Sequence, residues 1–463
     1  MLTMQKKAKQ PICADIFNGQ HVLVVGLGKT GLSCARFLAE RNVSFAIIDS
    51  RQKPPGLDEV RNEFPNVDLR LGSFDIEVIS RSNILIVSPG IAIKEPALQK
   101  AVAEGKELIG DVEVFARCVE KPVIAITGSN GKSTVTTLVG EMAKLAQKKT
   151  MVAGNIGLPV LDSIDDDEDT DLYVLELSSF QLETTQSLNA AVSTILNISE
   201  DHMDRYESLD DYTNAKISIL NGGGIVVVNK DDVYLNEHLP NLSMRKCMFF
   251  TLSKPDDDAT FGVISHDGRK WLAKGQQALL PVSELKISGS HNIANALAAL
   301  ALGTAIDLPV PAMLEALQRF TGLAHRTQWV AEHNGVNWFN DSKATNVGAA
   351  IAAINGMENQ NQIILLGGQG KGQDFTPLSD VVEQNAKAVI LYGEDAQMIS
   401  DALADGTNKI LVESLLAAVT KANELSKAGD IVLLSPACAS FDMFSGYEQR
   451  GDAFMQFVSE VTS

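Results

Sequence analysis

The octapeptide TGSNGKST, at positions 127–134, is the feature that most restricts what this chain can fold into. It follows an apolar run at 123–126 and precedes a stretch compatible with a helix, which is the layout of a phosphate-binding loop. The glycines let backbone N–H groups turn toward a phosphate, Lys132 can lie between phosphate oxygens, and the Ser133 hydroxyl can ligate Mg²⁺. A strict GxxxxGK[ST] loop has glycine where Ile126 stands, so this loop is a shortened variant. It predicts a nucleotide-binding protein.

Bulk properties exclude several classes of protein. The 463 residues exceed what one hydrophobic core usually supports, and the formal net charge of −19 would repel a polyanion, so we expect no nucleic-acid partner. The five cysteines form no CxxC pair, which argues for a reducing compartment and against zinc. Lysines at 6, 7 and 9 precede no apolar segment, and no apolar run is long enough to span a membrane. We expect a soluble, cytoplasmic protein.

Short β-branched runs alternate with helical lengths throughout the chain, which is typical of parallel sheets. One set of runs lies at 21–31, 44–50 and 83–90, a second at 121–128, 173–179, 191–199 and 223–230, and a third at 361–368, 386–393 and 429–436. The predicted fold class is α/β, with three domains that are each built on a mainly parallel sheet: Rossmann-like, phosphate-loop ATPase and Rossmann-like. We place these domains at 1–110, 111–322 and 323–463. The acidic stretch 162–171 is expected to be a solvated loop.

A second glycine cluster, GLGKTG at 26–31, follows the first strand. It matches GxGxxG, and Asp49 ends the next strand about twenty residues later, as in sites for NAD or FAD. The underlying chemistry is more general, because a helix N-terminus offers amides to any diphosphate. A nucleotide-sugar fits equally well, and a purely structural turn remains an alternative.

Two side chains beyond the phosphate loop are candidate metal ligands. Glu176 ends a strand, where open α/β sheets present ligands, and His202 follows the next strand in SEDHMDRY among acidic neighbours that include Asp201. Lys216, on local evidence alone, is a solvated helix lysine. The segment NKDD at 229–232 spells the guanine-reading NKxD, but no DxxG occurs between it and the phosphate loop, which argues against a GTPase.

Seven ordered segments together resemble the ATP-dependent Mur ligases of bacterial cell-wall synthesis. They are TGSNGKST, ELSSFQLE at 176–183, EDHMDRY at 200–206, HNIANALAA at 291–299, AHR at 324–326, DSKATN at 341–346 and SPACASFDMF at 435–444. The resemblance runs from about residue 20 to the C-terminus and is strongest to the members that add D-glutamate to UDP-N-acetylmuramoyl-L-alanine. It implies a nucleotide-sugar domain, a central ATPase domain and a C-terminal domain that closes over the site. The cofactors implied are ATP and Mg²⁺, and we expect a monomer in the bacterial cytoplasm that acts in peptidoglycan synthesis.

The resemblance also assigns roles to individual positions. Lys132, His202 and Lys216 would be catalytic, and Lys216 matches the carbamylated lysine of the family, whose carboxylate-like group could hold Mg²⁺. The implied metal ligands are Ser133, Glu176, His202 and Lys216. The implied ATP contacts are Gly128, Ser129, Asn130, Gly131, Lys132, Ser133, Thr134, Asn292, Arg326 and Asp341. The implied contacts to the UDP-linked substrate are Thr30, Asp49, Ser50, Ser88, Gly90 and Asn155, and those to D-glutamate are Lys343, Thr345, Ser440 and Phe441.

The implied reaction is an acyl transfer in two steps. The substrate carboxylate first attacks the γ-phosphate of ATP, and the amine of D-glutamate then displaces phosphate from the resulting acyl phosphate. Two positions depart from the family pattern: Gln369 stands where an acidic residue is expected, and Tyr447 stands where Phe is usual.

Three other functions remain open at this point. A folylpolyglutamate synthase is a related glutamate ligase, although the GLGKTG domain in front of the ATPase domain is the wrong arrangement for it. A phosphate-loop ATPase that switches a partner would hydrolyse ATP without an amino acid. A nicotinamide oxidoreductase would rest on the GLGKTG cluster alone.

Overall fold

The chain folds into three α/β units, each with its own sheet. The computed structural model describes residues 13, 15–164, 169–287, 289–357 and 361–462. The three lysines at 6, 7 and 9 and positions 165–168 of the acidic stretch lie outside the described residues. Among the residues described, no helix is both long and apolar enough to cross a membrane.

The N-terminal unit is a five-stranded parallel sheet in the order β3-β2-β1-β4-β5. This order places the two halves of the sheet on either side of β1, so that the turns after β1 and β4 lie side by side at the carboxyl edge, where such sheets bind ligands. The elements are β1 (Val22–Val25), α1 (Lys29–Glu40), β2 (Phe45–Asp49), α2 (Leu57–Glu63), β3 (Asp68–Leu71), α3 (Ile76–Arg81), β4 (Ile84–Val87), α4 (Pro96–Ala103) and β5 (Glu107–Ile109), followed by the connecting helix α5 (Asp111–Cys118).

The central unit is a nine-stranded sheet in the order β14-β13-β12-β11-β10-β9-β6-β8-β7. The strands from β7 to β12 are parallel, whereas β13 and β14 are antiparallel additions at one edge. The strands are β6 (Val123–Thr127), β7 (Thr150–Gly154), β8 (Leu172–Glu176), β9 (Val192–Ile195), β10 (Ile225–Asn229), β11 (Cys247–Phe250), β12 (Thr260–His266), β13 (Arg269–Lys274) and β14 (Gln277–Pro281). The helices are α6 (Lys132–Leu145), α7 (Ser179–Leu182), α8 (Leu209–Ile217), α9 (Val233–His238), α10 (Ser290–Ala305) and α11 (Val310–Arg319), with short 3₁₀ turns at Leu161–Ser163, Ser218–Leu220 and Val282–Glu284.

The C-terminal unit is a six-stranded sheet in the order β15-β16-β20-β17-β18-β19, parallel except for the β15–β16 hairpin. Its strands are β15 (Gln328–His333), β16 (Val336–Asn340), β17 (Gln362–Gly367), β18 (Ala386–Tyr392), β19 (Lys409–Leu411) and β20 (Ile431–Leu434). Its helices are α12 (Val347–Gly356), α13 (Leu378–Asn385), α14 (Ala396–Ala402), α15 (Leu415–Leu425) and α16 (Tyr447–Val461). The predicted α/β class with three mainly parallel sheets is confirmed.

The cores follow the sheets. The buried faces of the central and C-terminal sheets each have their own cluster of aliphatic side chains, which is what a sheet covered by helices on both faces requires. One further cluster continues from the N-terminal sheet through α5 to the central strands, with Val24, Phe115 and Leu175 all fully buried in it. The N-terminal and central units therefore share apolar packing around α5.

Candidate active site

The TGSNGKST loop connects β6 to α6, as its sequence predicts. Gly128 and Gly131 have φ angles of 148° and 82°, in the region that favours glycine. A Cβ at Gly131 would also collide with the side-chain oxygen of Asn295. The loop is therefore built on glycines, and α6 begins at Lys132 with its free amides at the open end of the loop.

Lys132 is folded over this loop. Its Nζ donates to the carbonyl oxygens of Gly128 and Ser129, both at 2.8 Å. Burial lowers the pKa of this lysine, while the nearby carboxylate of Glu176 opposes the shift. The ammonium lies where a phosphate on the loop would meet it, which suits charge neutralisation.

Two adjoining cavities meet at the phosphate loop. Asn130, Gly131, Arg326 and Lys343 line both of them. The first cavity is also lined by the predicted ATP contacts Thr134, Asn292 and Asp341, and the second by Ser129, Lys132, Ser133, Asn155, Glu176, His202, Lys216 and Thr345. The structure thus brings most of the predicted ATP, metal and amino-acid residues to one place.

Glu176 presents a carboxylate oxygen with no partner. Its Oε1 accepts from Asn155 Nδ2 at 2.8 Å, whereas Oε2 is buried without a hydrogen bond, although buried polar atoms are normally paired. Burial lowers the pKa of His202 to about 4, so its imidazole is neutral near pH 7 and keeps a lone pair for a metal. Among the residues described, no three His, Cys, Asp or Glu side chains form a metal cluster. Further ligands would come from a hydroxyl, a substrate or a modified side chain.

Lys216 differs from the solvated lysine that its local sequence suggests. It is 1% exposed, its Nζ donates to the carbonyl oxygen of Gly128 at 3.0 Å, and it lies over the ring of Tyr212. Burial, assisted by the charge of Lys132, holds the pKa of Lys216 well below its ordinary value. Burial of this kind favours the neutral, nucleophilic form of a lysine amine.

The C-terminal unit contacts the phosphate loop and the His202 segment directly. Arg326 Nη2 donates to Ser133 Oγ at 2.7 Å, and Lys371 Nζ pairs with Asp201 Oδ1 at 2.5 Å. Burial alone would raise the pKa of Asp201, but the charge and hydrogen bond of Lys371, together with the other positive charges nearby, outweigh it and lower the pKa to about 2. These contacts close the C-terminal unit over the second cavity.

The predicted D-glutamate residues are only partly brought together. Lys343 and Thr345 line the second cavity, whereas Ser440 is buried and lines neither cavity. The ring of Phe441 is 70% exposed and also lies outside both. Tyr447 instead lies under Lys343, with Nζ 3.9 Å from the ring centroid.

Two ionisable groups at the cavities have shifted pKa values. Burial lowers the pKa of Lys343 to about 8 and raises that of Asp341 to about 7. The Asp341 carboxylate accepts hydrogen bonds from Ser435 Oγ at 2.9 Å and from the Thr327 amide at 2.9 Å. Asp341 therefore also organises the turn that carries Arg326.

Five of the six residues predicted to contact the UDP-linked substrate lie at the carboxyl edge of the N-terminal sheet, after β1, β2 and β4, whereas Asn155 lines the second cavity. Ser88 Oγ donates to the Gly26 carbonyl at 3.2 Å, which joins the turns after β4 and β1. The Asp49 carboxylate accepts from the Leu27 amide at 2.7 Å and is also bound by the Arg51 guanidinium. Asp49 thus fixes the glycine turn. Thr30, Ser50 and Gly90 lie at this edge and, like Ser88 and Asp49, line neither cavity.

Sequence reasoning singled out no role for several residues that the structure places at the site. Asp201 and Arg205 fall inside the EDHMDRY segment, Tyr447 lies shortly after SPACASFDMF, and Lys371 lies two residues after Gln369. Asp201 and Lys371 find each other across two units, and Arg205 reaches the N-terminal sheet. The position of these residues in or near the motifs was the only sign in the sequence that they belong to the site. Their partners become visible only when the three units are arranged in space.

Three family models match successive parts of the chain. A MurD-like N-terminal domain of Mur ligases matches residues 20–110, the Mur ligase middle domain matches 126–303, and the Mur ligase glutamate ligase domain matches 325–438. The chain is also 53% identical to the UDP-N-acetylmuramoylalanine--D-glutamate ligase of Pseudomonas putida, over 95% of this chain and 98% of the relative. The chain belongs to the Mur ligase family. The resemblance seen in the motifs is thereby confirmed.

Other similarities agree with this assignment. The Mur ligase described here is 51% identical to the UDP-N-acetylmuramoylalanine--D-glutamate ligase of Nitrosococcus oceani, over 95% of this chain and 97% of that protein. The crystal structure of UDP-N-acetylmuramate-alanine ligase from Thermotoga maritima has a TM-score of 0.58 at 19% identity, covering 95% of this chain and 99% of the other. At that identity the structural likeness shows the shared three-domain fold.

Proposed function

We propose that this Mur ligase is the ATP-dependent enzyme that adds D-glutamate to UDP-N-acetylmuramoyl-L-alanine, forming an amide bond in peptidoglycan precursor synthesis. The relatives that match over nearly their whole length carry this activity in their names. One structural observation supports it above all: Arg326 and Lys343 of the C-terminal unit line both cavities at the phosphate loop of the central unit. A ligase needs this arrangement, because ATP and the acceptor must meet the same carboxyl group.

The chemistry follows from the charges at the second cavity. A carboxylate oxygen of the substrate forms a bond to the γ-phosphorus of ATP as the bond to ADP breaks, and negative charge builds on the transferring oxygens. Lys132 and Arg326 offer cations to that charge, and Arg326 is already held at the loop by Ser133. The amine of D-glutamate then attacks the acyl phosphate and expels phosphate. Closure of the C-terminal unit would exclude water, which would otherwise hydrolyse the intermediate.

Mg²⁺, which an ATP-dependent Mur ligase implies, fits the residues present. The unpartnered Oε2 of Glu176 and the neutral ring of His202 are suitable donors, and the hydroxyl of Ser133 lines the same cavity. When bound there, Mg²⁺ would neutralise phosphate charge. We assign Ser133, Glu176, His202 and a modified Lys216 as its ligands.

Carbamylation of Lys216 belongs to this proposal. Its buried neutral amine could add to CO₂, releasing one proton and leaving an anionic carbamate. That anion would supply a further oxygen ligand beside those of Glu176 and Ser133, and its negative charge would lie near the ammonium of Lys132.

The remaining assignments also stay proposals. The loop residues 128–134 together with Asn292, Arg326 and Asp341 would bind ATP, and Thr30, Asp49, Ser50, Ser88, Gly90 and Asn155 would bind the UDP-linked substrate. Lys343, Thr345, Ser440 and Phe441 would bind D-glutamate; the positions of Lys343 and Thr345 in the lining of the second cavity support the first two, whereas Ser440 and Phe441 line neither cavity. The domain limits 1–110, 111–322 and 323–463 are supported by the three separate sheets. We further propose a monomer in the cytoplasm.

One assay tests the proposed function. Phosphate release is measured with ATP, Mg²⁺ and UDP-N-acetylmuramoyl-L-alanine while the amino acid is varied across D-glutamate, L-glutamate, lysine and diaminopimelate. Of the four amino acids, we expect only D-glutamate to support phosphate release. The rate with D-glutamate should fall by a factor of about 10³ in Lys132→Ala. Equal turnover without any amino acid would indicate an ATPase switch. In a separate reaction with a folate in place of the UDP-linked substrate, turnover with L-glutamate would indicate the related synthase. A change in absorbance in a third reaction with NAD(P)H would indicate the oxidoreductase.

A further inference from the structure

Arg205 joins the N-terminal and central units through four contacts from one guanidinium. Its Nη1 donates to the carbonyl oxygen of Pro89 and its Nη2 to that of Ile91, both at 2.9 Å. The same Nη2 pairs with Glu183 at 3.0 Å, and the guanidinium carbon lies 4.1 Å from the centroid of the Phe180 ring. The side chains of Arg205 and Glu183 are 14% and 10% exposed, so these contacts are largely shielded from water.

The two carbonyls belong to the turn between β4 and α4. This turn carries Ser88 and Gly90, and Ser88 also bonds to the Gly26 carbonyl in the neighbouring glycine turn. Gly90 lies between the two residues whose carbonyls Arg205 holds. A carbonyl oxygen that accepts from a fixed arginine restricts the orientation of its own peptide unit, so the two bonds hold the peptide units that follow Pro89 and Ile91. Arg205 therefore sets the conformation of the turn that we assign to the UDP-linked substrate.

The other two contacts lie beside the second cavity. Phe180 lines that cavity, and its ring centroid is 4.7 Å from that of His202. Glu183 immediately follows α7, the helix that carries Phe180. Arg205 and His202 share one short segment, in which the amide of Arg205 donates to the His202 carbonyl at 2.9 Å. One side chain thus ties the substrate turn to the side chains around the proposed metal site.

We propose that Arg205 is a positioning residue. It fixes the orientation of the UDP-binding edge of the N-terminal sheet relative to the second cavity, where the reaction takes place. The inference rests on the proposed function, since it supposes that one long substrate spans both units. The substrate must be held at the N-terminal sheet while its carboxylate reaches the phosphate loop, and an error in the angle between the units would misplace that carboxylate. The planar guanidinium holds the two carbonyls and the carboxylate in fixed directions, whereas the three donors of a lysine ammonium radiate from one atom and cannot reproduce this geometry.

The test compares Arg205→Lys with Arg245→Lys. Arg245 is a matched control, because it too is partly buried and donates to backbone carbonyls, those of Leu220 and Gly224, but within the central unit alone. The full-length enzymes are compared by steady-state kinetics for each of the three substrates. The dissociation constant for UDP-N-acetylmuramoyl-L-alanine is measured by calorimetry without ATP, so that binding is read independently of turnover.

We expect Arg205→Lys to raise both KM and the dissociation constant for UDP-N-acetylmuramoyl-L-alanine about tenfold, while KM for ATP stays within about twofold. Arg245→Lys should leave all of these values within about twofold. Unchanged binding of the UDP-linked substrate in Arg205→Lys would overturn the proposal, as would equal increases in all three KM values. Failure of the wild-type enzyme to bind or use this substrate would instead overturn the proposed function.

Discussion

Arg326 Nη2 lies 2.7 Å from Ser133 Oγ, and this hydrogen bond joins the C-terminal unit to the phosphate loop. The arginine lines both cavities, so it faces the ATP side and the acceptor side at once. It is supplied by a turn that Asp341 fixes through the Thr327 amide. Closure of the C-terminal unit therefore adds the positive charge of Arg326 to the site of the transferring phosphate.

The first prediction concerns Arg326→Lys. We expect kcat to fall about 100-fold because lysine cannot reproduce the planar fork, while KM for UDP-N-acetylmuramoyl-L-alanine stays within about twofold. Steady-state kinetics measures both values. Arg319→Lys is the control, since Arg319 forms an ion pair on the exposed face of α11, and it should have wild-type kinetics. An unchanged kcat in Arg326→Lys would contradict this role.

The Lys371–Asp201 ion pair is predicted to hold the C-terminal unit closed. Lys371→Met would leave the Asp201 carboxylate buried without its main cation, so opening of the interface should become easier. Hydrogen exchange should then be about tenfold faster or more in both 197–204 and 369–375.

A matched ion pair provides the control for this exchange experiment. Lys387 pairs with Asp430 at 2.5 Å entirely within the C-terminal unit. Lys387→Met should leave exchange in 197–204 unchanged. If Lys371→Met accelerates exchange only in its own loop, the pair does not couple the two units.

A third prediction concerns pH and Asp111. Burial raises the pKa of Asp111 to about 6, and its Oδ1 has no hydrogen-bond partner. The folded state therefore binds a proton that the unfolded state releases near pH 4, and folding loses stability as the pH rises from about 4 to about 6. Above pH 6 the loss of folding stability caused by the ionised Asp111 no longer changes with pH.

Asp111→Asn should remove this loss of stability. Relative to the wild type, the variant should gain stability across that window, by an amount on the order of 3 kcal/mol. Urea unfolding at pH 4, 5, 6 and 7 measures it. Parallel stability curves for the two proteins would show that Asp111 does not titrate in this range.

The strands beside the motifs could be predicted from the sequence because they are buried on both faces and read as continuous apolar runs. The first strand at 21–31 and the runs at 361–368 and 386–393 appear as β1, β17 and β18. The antiparallel edge β12 to β14 carries polar side chains such as those of Arg269–Lys274 and lies beside no motif, so periodicity did not reveal it. The β15–β16 hairpin lies between the AHR and DSKATN segments, but its strands are only partly buried and mix polar with apolar side chains, so no continuous apolar run marks them.

The residues of the site also differ in whether the sequence alone could place them. Residues within one motif, such as Lys132 and Ser133, could be placed because a loop between a strand and a helix has few conformations. Contacts between units could not, since they depend on how the three sheets are arranged. Lys371 with Asp201 is one example. The burial of Lys216 beneath the loop lies within the central unit, but it depends likewise on how α8 packs against a loop that is distant in sequence.

The fourth prediction tests the modification of Lys216. In ¹³C-labelled bicarbonate, the enzyme should show one carbamate carbon resonance, which Lys216→Met should lose together with activity. Lys132 is the other buried lysine at this loop, so Lys132→Ala is the control. This variant should keep the resonance, which would assign the signal to Lys216. A fully active enzyme without any carbamate resonance would contradict the proposal.

The most direct test of the central claim follows the oxygen atoms of the substrate. UDP-N-acetylmuramoyl-L-alanine labelled with ¹⁸O in its terminal carboxylate is turned over with ATP and D-glutamate, and the released phosphate is analysed by mass spectrometry. Because the carboxylate oxygen that attacks the γ-phosphorus leaves with the phosphate, the account predicts one ¹⁸O atom in each phosphate formed. Phosphate released without the label during amide formation would show that the carboxylate is not activated as an acyl phosphate, and would contradict the account.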